Sequence, residues 1–169
     1  MKVFGIAGWS GSGKTTLLMR LIPALTRLGI EVATIKHTHH NPAVGDDESR
    51  ALAEAGASEI LLASPRRFAL IHELGDQPEP PLEHLIAHCR GVDLLLIEGF
   101  KWSPHPKLEV WDPTLGKPML APTEPSVVAL ATDRPVLASA LPRFARDNAD
   151  GIAVFIAAHC QLTVRTPVA

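Results

Sequence analysis

Cysteine is scarce in this 169-residue chain: the two present, Cys89 and Cys160, lie far apart and match no metal-ligand or redox spacing. A disulfide scaffold or cysteine metal centre therefore has no support, and a reduced cytoplasmic protein is the simplest reading. A charge bias is also missing. The 16 basic and 18 acidic residues are interspersed, which argues against a nucleic-acid clamp or a polybasic membrane arm. No apolar run approaches the roughly 20 residues that cross a bilayer, so no membrane partner is expected. The N-terminus is too glycine-broken and too weakly basic for a signal peptide. The chain is 46% hydrophobic, and its length suits one domain, residues 1–169, with enough surface to bury a core.

Two residue types are unevenly spread. Gly8, Gly11 and Gly13 fall inside six residues, and eight of the 15 prolines lie between Pro104 and Pro142. Around them, apolar runs alternate with helical patterns. Lys2 to Ala7 reads as a strand, and Leu17, Leu18, Leu21, Ile22, Leu25 and Leu28 form one helical stripe that continues past Pro23 and stops at Gly29. Further strands are expected at Glu31 to Lys36, Ser58 to Ala63, Asp93 to Ile97, Lys107 to Trp111 and Ser126 to Ala131, with Phe68 to His72 as an edge strand. Helical patterns cover Ser49 to Ala55, Pro81 to Cys89 and Asn148 to His159.

The chemistry starts at Gly8-Trp9-Ser10-Gly11-Ser12-Gly13-Lys14-Thr15, which satisfies G-x-x-x-x-G-K-[ST] between a strand and a helix. Glycines let backbone N–H groups approach phosphate oxygens, Lys14 adds charge at the β- and γ-phosphates, and the Thr15 hydroxyl is a ligand for Mg²⁺. The helix behind the loop points its positive end at the same anion, and Thr16 is expected on the α-phosphate side. The pattern predicts an α/β, three-layer P-loop NTPase fold with a mostly parallel sheet and an added proline-interrupted β segment.

Ligands sit beyond the C-terminal ends of parallel strands. Asp93 opens its strand, about 16 Å below that rim at about 3.3 Å per residue, so it reads as structural. Glu98 closes the strand and takes the magnesium or water-orienting role. Lys36 ends the second strand and is a candidate for a second anion, against an ordinary solvated lysine. Asp133 is placed to accept hydrogen bonds from guanine N1 and N2, although N-K-x-D is absent and base identity stays open. His37, His39 and His40 cluster in a loop without a matched partner pair, which suits loop polarity or substrate contact better than a metal. His84 and His88 lie opposite an apolar stripe and read as solvated. Trp9 is a candidate for ligand or partner contact.

Gly8 to Thr16 with Leu17-Leu18, Ile35-Lys36-His37-Thr38-His39-His40 and Ile97-Glu98-Gly99-Phe100-Lys101 together resemble the molybdopterin-guanine dinucleotide biosynthesis protein B (MobB) family. Ala55-Gly56-Ala57 and Ala129-Leu130-Ala131-Thr132-Asp133 add to the likeness, which runs to about Phe155. The resemblance implies a GTP-binding accessory protein, usually dimeric and with weak GTPase activity. It would assist the guanylyltransferase (MobA-like) that attaches GMP to molybdopterin, with molybdopterin itself a further candidate ligand. Its nucleotide site would be Gly8 to Thr16 with Glu98 near Mg²⁺. Where the family commonly shows Gly-Lys-Asp-Ser, this chain reads Asp46-Asp47-Glu48-Ser49, so that lysine has no counterpart.

Two other readings compete. A small-molecule kinase or ATP-dependent ligase would use Lys36, His37 and Lys101 to clamp an anionic substrate. A docking module would use Trp102 to Pro122, whose proline-interrupted strands would form an exposed edge able to pair across a two-fold dimer. The nucleotide core would then end near residue 100, with residues 101–122 as the partner segment.

Overall fold

The computed structural model describes residues 1–38, 45–134 and 140–165. Its elements in chain order are β1 (Lys2–Ala7), α1 (Lys14–Arg27), β2 (Val32–Lys36), α2 (Asp47–Glu54), β3 (Glu59–Ala63), β4 (Phe68–His72), α3 (Leu82–His88), β5 (Leu94–Glu98), β6 (Lys107–Val110), β7 (Val127–Ala131), β8 (Arg143–Phe144) and α4 (Ala149–His159). A 3-10 turn occupies Pro113–Leu115. The chain divides into two compact units, one of Met1–His37 with Leu82–Ala169 and one of Thr38–Pro81.

In the larger unit, six parallel strands run in the order β2-β5-β1-β6-β7-β8. The apolar run of β5 is buried at all five positions, as a strand covered on both faces must be. Alternation then sorts the side chains. Phe4 and Ile6 of β1, Leu94 and Leu96 of β5, and Leu108 and Val110 of β6 join Leu17, Leu21 and Leu25 of α1 and Ile152 and Ile156 of α4 in the main core. Each such side chain contributes about 1.5–3 kcal/mol when taken out of water. The other face packs Leu95 and Ile97 on Leu82 of α3, and Leu130 and Val127 beneath Leu120. Helix α1 continues through Pro23. It ends as its sequence requires, with Gly29 at positive φ and the Gly29 and Ile30 N–H groups closing on the Thr26 and Leu25 carbonyls.

The smaller unit holds α2, β3 and β4, with Glu59 to Ala63 antiparallel to His72 to Phe68. These two strands form a sheet of their own, so Phe68 to His72 is the edge strand the sequence suggests, in a sheet separate from the parallel one. Helix α2 is started by a capping box. Asp46 accepts the Ser49 N–H at 2.9 Å, and the Ser49 hydroxyl accepts the Asp46 N–H at 2.9 Å. Asp46, in the stretch that departs from the family pattern, therefore has a local structural role.

One expectation fails in the larger unit. The strand at Lys107 was expected to lie at an exposed edge, yet β6 is interior, paired with β1 on one side and β7 on the other, with all four residues buried. The prolines that suggested an edge flank the strand rather than interrupt it, and two of its four buried positions, Lys107 and Glu109, are charged. Both charges are covered by the proline-rich segment. The Lys107 ammonium donates to the Ser126 hydroxyl at 2.7 Å and to the Ser103 carbonyl. The Glu109 carboxylate accepts the Leu120 and Ala121 N–H groups at 2.7 and 2.9 Å. Burial pushes the Lys107 pKa down, opposed by Glu124. It pushes the Glu109 pKa up, opposed by those two hydrogen bonds.

Candidate functional site

Beyond Ala7 the chain can leave β1 only through a glycine. At Gly8 φ is +139°, and a Cβ there would lie 2.4 Å from the Val110 carbonyl oxygen. The loop turns back at residues 9–13 and enters α1 with Gly13 as a left-handed N-cap that carries no capping side chain and no acid in the first turn. The first N–H groups of the helix thus keep their positive end open to an anion. Ser12 supplies an independent sign of a ligand: it is 1% exposed and its hydroxyl has no partner, a costly state for a buried polar group. Lys14 lies across the loop and donates to the Trp9 carbonyl at 2.9 Å. Burial lowers its pKa; Glu98 opposes this, while Lys101 and Lys36 lower it further.

At the C-terminal end of β5, the Glu98 Oε1 accepts the Thr15 hydroxyl at 2.7 Å. The Lys36 ammonium, at the end of β2, donates to Thr15 Oγ1 at 3.2 Å and lies 3.8 Å from Glu98 Oε2. Glu98 is 7% exposed. The next residue is Gly99 at φ +99°, where a Cβ would meet the His37 Cβ at 2.8 Å. The Thr15 hydroxyl and Glu98 carboxylate are hard oxygen donors suited to Mg²⁺, which characteristically takes one or two protein oxygens plus phosphate and water. No cluster of three or more His, Cys, Asp or Glu side chains able to hold a metal occurs among the described residues. Asp93 lies at the opposite end of the strand, where it accepts the Glu31 N–H at 3.0 Å, a structural position.

The site continues past α1 toward the ends of β7 and β8. Ser12, Gly13 and Thr16 share a cavity of about 350 Å³ with Asp133 and Arg146. Asp133 and Arg146 also line a second cavity of about 400 Å³ beside Asp112 and Thr114. The Asp133 carboxylate accepts the Arg146 N–H at 2.9 Å and its Nε–H at 2.6 Å. These bonds to Arg146 hold the Asp133 pKa down, and the bond to Asp133 raises that of Arg146.

The other candidates are placed as follows. Trp9 is half-buried; its indole N–H donates to the Pro118 carbonyl at 2.7 Å, and the Lys101 and Lys117 ammonium groups lie 4.9 and 5.9 Å from its ring centre. Ser10 and Gly11 are exposed at the loop tip. His37 packs against Phe100 with ring centres 4.6 Å apart, while His39 and His40 lie outside the described residues. His84 and His88 are exposed on α3.

Comparison with known proteins decides the family. The family model described as molybdopterin guanine dinucleotide synthesis protein B, MobB, matches residues 3–133. The chain belongs to the MobB family. It is 41% identical over 139 residues to a molybdopterin-guanine dinucleotide biosynthesis adapter protein of Haemophilus influenzae, covering 79% of this chain and 76% of that one. To the protein of the same description from Escherichia coli it is 39% identical, covering 79% of each. Its structure superposes on a crystal structure of molybdopterin-guanine biosynthesis protein B with a TM-score of 0.72 at 26% identity, over 93% of this chain and 99% of that one.

The MobB match ends at Asp133, and beyond it lies the feature that sequence reasoning missed. Strand β8 is two residues long and carries no periodic signal. Without that strand, nothing in the sequence ties Arg146 to Asp133 and Asp112. The available signal was weaker: a basic residue next to Asp147-Asn148, where a helix N-cap begins.

Proposed function

We propose that this MobB-family chain is a GTP-binding adapter in the formation of molybdopterin-guanine dinucleotide, acting beside the guanylyltransferase (MobA-like) that joins GMP to molybdopterin. One observation carries the nucleotide part: the Thr15 hydroxyl bonded to the Glu98 carboxylate at the mouth of a glycine loop whose helix end is uncapped. On this reading Gly8 to Thr16 hold the phosphates, Lys14 neutralises them, Thr15 and Glu98 hold Mg²⁺, Lys36 adds a second positive charge, and Asp133 faces the base. Hydrolysis on such a site rests on positioning and electrostatics and is slow without further groups.

The adapter part is supported by the two relatives described as adapter proteins. A kinase or ligase is not favoured by that kinship. Dimer formation rests on the family resemblance, since the strand at Lys107 offers no free edge. The exposed Leu61, Phe68 and Leu70 of the β3–β4 hairpin are an apolar face for partner contact. No helix among the described residues is long and apolar enough to cross a membrane, in keeping with a cytoplasmic role.

The test is reconstitution of dinucleotide formation with the guanylyltransferase, with and without this chain and GTP. Stimulation that requires both is expected; no effect of the chain on product formation would refute the adapter reading. Light scattering reads the oligomeric state in the same preparation.

A further inference from the structure

The base end of the groove contains an arrangement that the phosphate loop does not explain. Asp112, at the end of β6, has its Oδ1 fixed by the Thr114 N–H at 3.0 Å and the Thr114 hydroxyl at 2.7 Å. Its Oδ2 accepts the Arg146 Nη1–H at 2.7 Å. Arg146 in turn donates its backbone N–H to one Asp133 oxygen and its Nε–H to the other. The result is a chain from a rigid turn through a guanidinium to a carboxylate, drawn from the C-terminal ends of three adjacent strands. Such planar, charge-assisted contacts restrict both partners' rotamers. They stand beside the cavity that Ser12, Gly13 and Thr16 also line.

Counting lone pairs shows what the arrangement presents. An ionised carboxylate offers about four acceptor positions; Arg146 fills two, one on each oxygen, and the Asp133 side chain is 48% exposed. Two acceptors, one per oxygen, are left. Guanine offers two adjacent donors on one edge, N1–H and the 2-amino group. Adenine places an acceptor at N1 and has no 2-amino group, so it would set a lone pair against the carboxylate. Without Arg146, Asp133 would rotate freely at the surface and lose that selectivity. We propose that Arg146, braced by Asp112, is a positioning residue that holds the Asp133 carboxylate for guanine and so sets base specificity. The inference rests on the nucleotide reading above and extends it to a residue beyond the family match.

The experiment is calorimetric titration of the full chain with Mg²⁺-GTP and Mg²⁺-ATP, in wild type, Arg146→Gln, Asp112→Asn, Asp133→Asn and the Arg146→Gln/Asp133→Asn double variant. Losing a hydrogen bond to a charged group changes affinity by about 10- to 100-fold. Arg146→Gln is therefore expected to weaken GTP about tenfold with ATP within about twofold of wild type, and Asp112→Asn to weaken GTP by about threefold. The double variant is expected to bind GTP no more weakly than Asp133→Asn alone, because residues acting as one unit are non-additive. ATP affinity reports an intact phosphate end, which a merely structural effect of Arg146 would not spare. Equal loss of GTP and ATP in Arg146→Gln would overturn the proposal, as would an unchanged GTP:ATP ratio. If Asp133→Asn abolishes discrimination and Arg146→Gln does not, the positioning role fails and the base reading stands. If Asp133→Asn also leaves the ratio unchanged, both fail.

Discussion

The two ends of the proposed nucleotide groove are assembled in different ways. The phosphate end takes its loop and lysine from consecutive residues, Gly8 to Thr15, between β1 and α1. The base end joins Asp112, Asp133 and Arg146, the first and last of which are 34 residues apart in the chain. On the proposed reading the phosphate end would recognise a feature common to all nucleotides through backbone N–H groups and a helix end, and so would tolerate little change of backbone. The base end would discriminate through side chains whose placement depends on the order of β6, β7 and β8. Damage to the first should weaken every nucleotide alike, and damage to the second should change only preference.

The strongest test of that division is Lys14→Ala. Removing a charge that would meet phosphate costs about 3 kcal/mol or more, which is about 100-fold in affinity. GTP and ATP should suffer equally in calorimetry; retention of either would show that Lys14 does not face the phosphates. Gly8→Ala ranks next. A side chain at positive φ costs about 1–2 kcal/mol, and here the Cβ would also press on the Val110 carbonyl at 2.4 Å. A drop in melting temperature with at least about tenfold weaker binding of both nucleotides is expected. Glu98→Gln keeps the shape and the bond from Thr15 but removes the charge. It should weaken Mg²⁺-GTP by about tenfold and leave metal-free GTP little changed, since the lost interaction is with the cation. Equal weakening with and without Mg²⁺ would move Glu98 out of the metal site.

The same contrast explains how far the sequence could be read. The glycine loop and the stripe of α1 are local, so spacing alone revealed them. Glu98 was within reach because a strand has a fixed rise, and counting from Asp93 put one carboxylate at the rim and the other below it. Asp133 was reachable as a strand end. Arg146 was not, because β8 is too short to show a period and its neighbours in space are distant in sequence. The strand at Lys107 misled for a different reason. Interrupting prolines ordinarily mark an edge strand, yet here the folded proline-rich segment supplies a Ser126 hydroxyl and the Leu120 and Ala121 N–H groups, partners that allow Lys107 and Glu109 to be buried in an interior strand.

Acidity offers the smallest and most selective separation of the two ends. Burial sets the Lys14 pKa below that of an ordinary lysine, with Lys101 and Lys36 adding and Glu98 opposing, so on raising the pH this ammonium is lost earlier than a solvated one. The protonated form is the one that would bind phosphate on the proposed reading. Affinity for any nucleotide should therefore be full below the folded pKa and fall above it, by at most about tenfold per pH unit for one proton. The base end behaves oppositely across the same range: Asp133 is held below the usual carboxylate pKa and Arg146 above the usual guanidinium value, so that pair stays ionised. Titrations with GTP and ATP from pH 7 to about pH 8.5, below the range in which guanine N1 gives up the proton it offers Asp133, should show any fall shared by both nucleotides while their ratio stays constant. A ratio that drifts with pH would mean that the two ends are not independent, and that the charge on Lys14 reaches the residues that read the base.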